Sequence, residues 1–270
     1  MLELGGHEMS ERLIGHAFSR RLALRGLCAS AFMAALPISP GRGAERGKRP
    51  LKAIAFDGFA VFDAQPISAL AEHLFPDHGQ SLSGTWRTKI FEYTWLRTSA
   101  GRYADFAVCV DDALTFAVTS LKLELTNSGR RQLNAVYADL KAFPDILPAL
   151  MELKAVGTRL VVLANPTPTM LANAIGNSGL QGIFDDVIST DRGMTYKPAP
   201  RAYQLAVDSL GLPRQEIGFV ASASWDATGS AWFGYESFWL NRLDLPPDQL
   251  GTTPRWVGRT MAEFLSFLRS

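Results

Sequence analysis

The sequence predicts an α/β fold: a parallel β-sheet covered by helices on both faces, with a helical block inserted after the first strand. Three observations predict it. Short, almost wholly apolar runs recur near residues 51–57, 158–164, 184–189, 216–221 and 235–241, the pattern of strands buried on both faces. Segments of helical period alternate with the later runs. Between the first run and that alternation, residues 67–142 carry helical spacing only.

The first fifty residues differ in character from the rest. Arg20-Arg21 and Arg25 precede a small-residue apolar stretch over 26–38, and Ser-Pro-Gly-Arg-Gly-Ala follows at 39–44. Basic, apolar and small-residue blocks in this order predict an export signal and basic linker over residues 1–44, and the arginine pair resembles a twin-arginine signal. The expected destination is the periplasm or exterior. A helical or unstructured extension with a chance arginine pair is the alternative. The apolar stretch falls short of the roughly 20 residues that span a bilayer, so no stable membrane anchor is expected.

The chain has 270 residues and a formal charge of +1. Without residues 1–49 there remain 19 basic and 22 acidic side chains, a net of −3, which argues against a nucleic-acid partner. Cys28 lies in the signal, which leaves Cys109 alone and excludes an internal disulfide in the remainder.

From residue 51 the elements follow in order. An apolar run ends in Asp57. Helices are expected at 67–75, 83–100, 109–123 and 128–142, and Phe143-Pro144-Asp145 breaks the last. Helix 145–156, strand 158–164, helix 168–178, strand 184–189, helix 200–211, strand 216–221, helix 225–233, strand 235–241 and helix 261–268 follow. The implied division is residues 50–63 and 144–270 for the core and 64–143 for a helical cap. Pro246-Pro247 and Thr252-Thr253-Pro254 mark surface loops.

Ligands of such sheets sit beyond the carboxyl ends of the strands. That directs attention to Asp57, Asn165, Lys197 and the segment from Ala221 to Asp226. Each has an ordinary reading. Asp57 suits a helix cap or loop, Lys197 a solvated loop, Asp226 a helix cap in competition with Ser224, Asn165 a cap, and Arg87 an exposed helix face. Together they offer a carboxylate nucleophile, a lysine to keep it ionised and a second acid. His73 and His78 form no metal-ligand set and no Ser-His-Asp case, and no phosphate loop is present. No metal or other cofactor is expected.

Several short motifs occur in order: Phe56-Asp57, Trp86-Arg87, Glu92-Tyr93-Thr94-Trp95-Leu96-Arg97, Arg102-Tyr103-Ala104-Asp105-Phe106, Leu163-Ala164-Asn165, Tyr196-Lys197-Pro198 with Tyr203, Trp225-Asp226-Ala227-Thr228-Gly229 and Trp239-Leu240-Asn241-Arg242. In this order and spacing the chain, over residues 51–268, resembles the L-2-haloacid dehalogenases of the haloacid dehalogenase superfamily. The resemblance implies a Rossmann-like core with a cap. It implies that Asp57 displaces halide from a short 2-haloacid to leave an ester, and that Arg87 and Asn165 receive the halide. Lys197 would hold Asp57 ionised with Tyr203 beside it, and Asp226 would activate water. Phe59, Phe91, Phe106 and Trp225 would line an apolar pocket; plain packing suits them equally. A homodimer is an analogy only, since no residue fixes it.

Departures from the family pattern accompany the resemblance. Phe59 stands where metal-dependent phosphatases of the superfamily carry a second Asp, which argues against phosphoryl transfer. The Gly-Thr pair usual after the nucleophile is absent, and Thr88 replaces a Gln. Ala164, Ala221 and Ala223 stand where hydrogen-bonding side chains are usual, with Ser222 and Ser224 as candidate substitutes. A dehalogenase, a related hydrolase of altered specificity and a small-carboxylate binding protein are therefore the three readings carried forward.

Overall fold

The computed structural model describes residues 50–270; the export signal read over residues 1–44 lies outside the described residues. Strand β1 (Ala53–Phe56) is buried at every position. It runs into a single helical turn, α1 (Gly58–Val61), and a two-residue strand, β2 (Phe62–Asp63). Four helices follow: α2 (Gln65–Leu74), α3 (Gly79–Ser99), α4 (Phe106–Ser120) and α5 (Asn127–Val136). Strand β3 (Lys141–Ala142) then pairs antiparallel with β2, Phe62 opposite Ala142.

The remaining elements alternate. They are α6 (Ile146–Ala155), β4 (Arg159–Ala164), α7 (Pro168–Asn177), β5 (Asp186–Ser189), α8 (Pro200–Leu210), β6 (Ile217–Ala221), α9 (Ser224–Phe233), β7 (Glu236–Leu240), β8 (Trp256–Gly258) and α10 (Met261–Arg269). The sheet order is β5-β4-β1-β6-β7-β8, and every pairing is parallel. β1 is therefore a central strand, hydrogen-bonded on both sides, and its carboxyl end lies in the interior of the sheet edge.

Residues alternate between the faces of the sheet, as the pleat demands. Ile54 and Phe56 join the apolar cluster that continues into α6, α7, α10 and the helical block. Ala53 and Ala55 face the cluster built with Tyr203 and Ala206 of α8 and Ala227 and Phe233 of α9. Close packing explains Gly218 on β6, where a Cβ would stand 2.9 Å from the Phe238 ring and 3.2 Å from Leu51.

Side-chain caps set the starts of four helices. The Asp105 carboxylate accepts from the Val108 N–H and starts α4 three residues earlier than its apolar spacing predicts. Thr126, Thr167 and Thr260 cap α5, α7 and α10 in the same way. Within the helical block the Trp86 indole N–H donates to the Val110 carbonyl at 2.8 Å, tying α3 to α4, and its ring meets Tyr137 edge-on at 4.9 Å.

Two expectations change. The helix read over 128–142 ends at Val136, because residues 141–142 leave it to pair with β2. Tyr137 and Leu140 are buried in this connection as they would be in a helix, so apolar spacing alone did not separate the two. The sheet also has a sixth strand, β8, which is three residues long and half-exposed at the edge; it carries no apolar run to betray it. No helix among the described residues is long and apolar enough to cross a membrane.

Phe238 is fully buried on β7 and meets Phe264 and Phe267 of α10 edge-on at 5.0 and 6.1 Å. Phe238→Ala is expected to cost about 3–5 kcal/mol. Urea unfolding followed by tryptophan fluorescence measures this; a loss below about 1 kcal/mol would mean that α10 does not close this end of the core.

Candidate active site

Asp57 ends β1 and its N–H bonds the Val220 carbonyl at 2.9 Å, so the neighbouring strand sets its backbone. It occupies the N-cap position of α1, yet its carboxylate makes no capping bond and is only 6% exposed. Both oxygens are otherwise engaged. Oδ1 accepts from the Lys197 ammonium at 2.6 Å and Oδ2 accepts from the Ser222 hydroxyl at 2.6 Å. The capping and solvated readings of Asp57 are thereby set aside.

Lys197 enters from the loop before α8 and is 1% exposed. Its Nζ donates at 2.6 Å to Asp226 Oδ2 as well, and it lies 5.1 Å from the centre of the Phe219 ring. Asp226 sits in the first turn of α9, whose N-cap is Ala223; neither Asp226 nor Ser224 caps it. The Tyr203 hydroxyl donates to the other Asp226 oxygen at 2.6 Å. Gly229, one turn on, makes room for that hydroxyl: a Cβ there would lie 2.6 Å from it and 2.7 Å from Pro198.

Two carboxylates and one ammonium give the cluster a formal charge of −1 when all are ionised. Burial opposes the charge on Lys197, but Asp226 and Asp57 outweigh it and hold the lysine pKa above its ordinary value. Burial pushes Asp226 up to about 6 despite the pull of Lys197, and the charge of Asp57 adds to the rise. Burial and Asp226 drive the Tyr203 phenol far above its usual range, so it stays a donor.

Above Asp57 lies a cavity of about 10 Å³, room for roughly one water, lined by Asp57, Phe59, Arg87, Phe91, Asn165 and Lys197 among others. Asn165 follows β4. Its Oδ1 accepts from the Lys197 N–H at 3.2 Å and the Thr190 hydroxyl at 3.3 Å, which leaves the side-chain NH₂ for the cavity. Arg87 reaches in from α3, its guanidinium 5.3 Å from the centre of the Phe91 ring, and has no ion-pair contact among the described residues. Phe91 and Trp225 meet edge-on at 5.4 Å across the junction of helical block and core.

The sequence-predicted residues thus separate. Asp57, Arg87, Asn165, Lys197, Phe59, Phe91 and Trp225 line one cavity. Asp226 does not line it and meets it only through Lys197. Tyr203, expected in the pocket, is fully buried behind Asp226, because α8 packs on the far face of the sheet. Phe106 is not in this cavity either. It packs near Tyr137 and Tyr196 and borders a larger adjoining space, since α4 stands one helix further from Asp57.

Two contributors were not assigned from the sequence. Ser222 supplies the hydroxyl on Asp57, whereas Ser224, the other candidate, accepts from the Asp248 N–H instead. The Trp95 indole N–H donates to the Lys197 carbonyl at 3.2 Å and its ring meets Trp225 at 5.4 Å. Its spacing of one helical turn from Phe91 is the signal that could have found it.

Of the three alanines, Ala221 is buried in the sheet. Ala164 packs where a Cβ on Gly58 would come within 3.0 Å, and Ala223 lines the cavity. Among the described residues no group of three His, Cys, Asp or Glu is arranged to hold a metal ion. With Phe59 in place of a second acid and the Lys197 ammonium already bridging the two carboxylates, the donor set does not fit a divalent cation.

A family model described as haloacid dehalogenase-like hydrolase matches residues 61–234. An (S)-2-haloacid dehalogenase from Pseudomonas sp. (strain YL) is 38% identical over 207 residues, covering 76% of this chain and 89% of that protein. A crystal structure of an L-2-haloacid dehalogenase is 39% identical, with a TM-score of 0.81, over 82% of this chain and all of the other. That of the Xanthobacter autotrophicus L-2-haloacid dehalogenase with chloropropionic acid covalently bound is 29% identical, with a TM-score of 0.75, over 82% of this chain and 99% of the other. A family model spanning most of the chain and a relative of this identity across three quarters of it lead to one conclusion: the chain belongs to the haloacid dehalogenase-like hydrolase family.

Proposed function

We propose that the protein hydrolyses the carbon–halogen bond of short 2-haloacids through an ester on Asp57, without a metal. One observation carries this reading: the Lys197 ammonium lies 2.6 Å from both Asp57 and Asp226, with Asp57 at the floor of a cavity whose walls include three aromatic rings, Arg87 and Asn165. A carboxylate is a weak nucleophile unless positioned and kept from water, and this one is both. The names of the relatives support the (S) enantiomer as substrate.

In the first step an Asp57 oxygen attacks C2 opposite the halogen. The C–O bond forms as the carbon–halogen bond breaks, and the halide takes the bonding pair. The Arg87 guanidinium and the Asn165 NH₂ face the charge that develops there. In the second step water attacks the Asp57 acyl carbon and one of its protons passes to Asp226 by way of Lys197, which lies between Asp226 and the cavity. The ester C–O bond breaks, the departing alkoxide takes the water's other proton, and the 2-hydroxyacid and the free Asp57 carboxylate result. The alanines at 164, 221 and 223 would weaken catalysis if nothing replaced their donors; the Ser222 bond to Asp57 offsets part of that loss and favours turnover over mere binding. In this reading residues 50–63 and 144–270 are the core, and 64–143 the cap that brings Arg87 and Phe91 over it.

Halide release from 2-chloropropionate tests the assignment. Asp57→Asn is expected to lower it at least 10³-fold with the fold intact, while EDTA leaves the wild type unchanged; wild-type turnover by the variant would sink the nucleophile assignment.

The pH profile provides a second check. Asp226 must be a carboxylate to take the proton, and its pKa is pushed up to about 6, so the rate should fall as pH drops through about 6. A rate constant between pH 8 and pH 5 would show that Asp226 does not titrate in the reaction.

For location, we read the block order of residues 1–44 as support for export by the twin-arginine route. Replacing Arg20 and Arg21 by lysine should shift the protein from the periplasmic to the cytoplasmic fraction. An unchanged distribution would count against that route.

A further inference from the structure

The cavity over Asp57 continues into a much larger chamber, of about 700 Å³. The two share Phe59, Arg87, Phe91, Ser222, Ala223 and Trp225, so they form one space with a narrow inner end. The inner end admits about one water-sized group, so a two- or three-carbon haloacid already extends into the chamber. It leaves most of that chamber, which is in the size range of sites for far larger ligands, empty.

The chamber lies between the helical block and the sheet. Its walls include Ile67 of α2, Ile90 of α3, Phe106 of α4, Tyr137 and Phe143, all apolar or aromatic. Its polar groups are largely occupied. The Arg242 guanidinium makes a two-bond pair with Asp145, at 2.9 and 3.0 Å, and stacks 4.1 Å from the Phe143 ring. The Asp63 carboxylate accepts from the Gln65 N–H. Asp63 and Asp248 on the lining would repel a second carboxylate, Arg242 and Arg259 are paired with Asp145 and Asp244, and Arg87, without an ion pair among the described residues, stands at the inner end over Asp57. At the junction, Ala223 presents a methyl group where a longer polar side chain would narrow the passage.

We propose that the chamber is a subsite for the alkyl chain of the substrate, and that the preferred substrates are 2-haloalkanoates with an extended unbranched chain rather than two- or three-carbon haloacids. This rests on the dehalogenase reading. C2 and the halogen sit at the mouth of the inner cavity, over Asp57, and the chain from C3 onward extends past Phe91 and Ala223 into the chamber. Each methylene so buried removes apolar surface from water in the complex, worth about fourfold in binding.

The experiment is kcat/KM for halide release by the purified protein from racemic 2-chloropropionate, 2-chlorobutanoate, 2-chlorohexanoate and 2-chlorooctanoate. The expected result is a rise of about fourfold per methylene, carried mainly by KM. Two filling variants locate the effect: Ser83→Phe and Ala64→Leu, both of which border the chamber and not the inner cavity. Each should flatten the series while 2-chloropropionate turnover stays within about twofold of wild type; if one fails to fold, the other decides. A flat or falling wild-type series with 2-chloropropionate still turned over overturns the subsite and leaves the dehalogenase standing. A rise that persists in the filled variants also overturns it. No halide from any of the four acids, with folding verified by circular dichroism, overturns the dehalogenase reading and the subsite together.

Discussion

A lysine ammonium buried at 1% exposure between two carboxylates sets the terms for the surrounding structure. Placing such a charge in the interior is costly unless its partners are held in good geometry. Each is held by a different part of the chain: Asp57 by the end of a central strand, Asp226 by the first turn of α9, and Lys197 by a loop whose N–H bonds Asn165. Tyr203 and Ser222 then occupy the carboxylate oxygens that Lys197 leaves. Losing Lys197 would leave two buried carboxylates without a counter-charge, a cost of about 3–5 kcal/mol. The same bonds that stabilise the cluster hold the Asp57 carboxylate at the floor of the cavity.

The helical block is joined to this centre by aromatic contacts and a few long-range hydrogen bonds. Trp95 bonds the Lys197 carbonyl, Tyr196 donates to the Ala104 carbonyl at 2.6 Å, and Tyr103 donates to Asp191. Tyr103 and Tyr196 also stack at 5.4 Å. Two of these four contacts involve the residue before Lys197 and one involves Lys197 itself. The block is thus anchored where the ammonium beside Asp57 is anchored, and Arg87 and Phe91 are carried over Asp57 from the same helix.

The alanines show how a family pattern can be altered without dissolving its chemistry. A hydroxyl on Asp57 is present, but it comes from Ser222, next to the position where sequence comparison expects it. The strand end before α9 presents its residues to opposite sides, so neighbours differ in what they can reach. Ala221 faces the apolar cluster under α8 and α9, whereas Ser222 faces Asp57. Ala223 changes the space instead of the bonding, by leaving the passage toward the larger chamber open.

Much of this was legible in the residues. Apolar runs that end in a polar residue marked the strand ends at Asp57 and Asn165, and alternation with helical segments implied the parallel sheet. Those features depend on periodicity and local composition, which the chain carries in itself. The β2–β3 ribbon and the edge strand β8 were not legible, because two or three residues paired with distant segments leave no period to read. The same holds within the site. Residue type and order identified Asp57, Lys197, Asp226, Arg87 and Asn165 as a set. Only the tertiary structure decided that Tyr203 lies behind Asp226, that Phe106 borders the outer chamber, and that Ser222 rather than Ser224 reaches Asp57. Reach and facing depend on how β6, α8 and α9 pack, and such long-range geometry is set by the packed whole and not by any one segment.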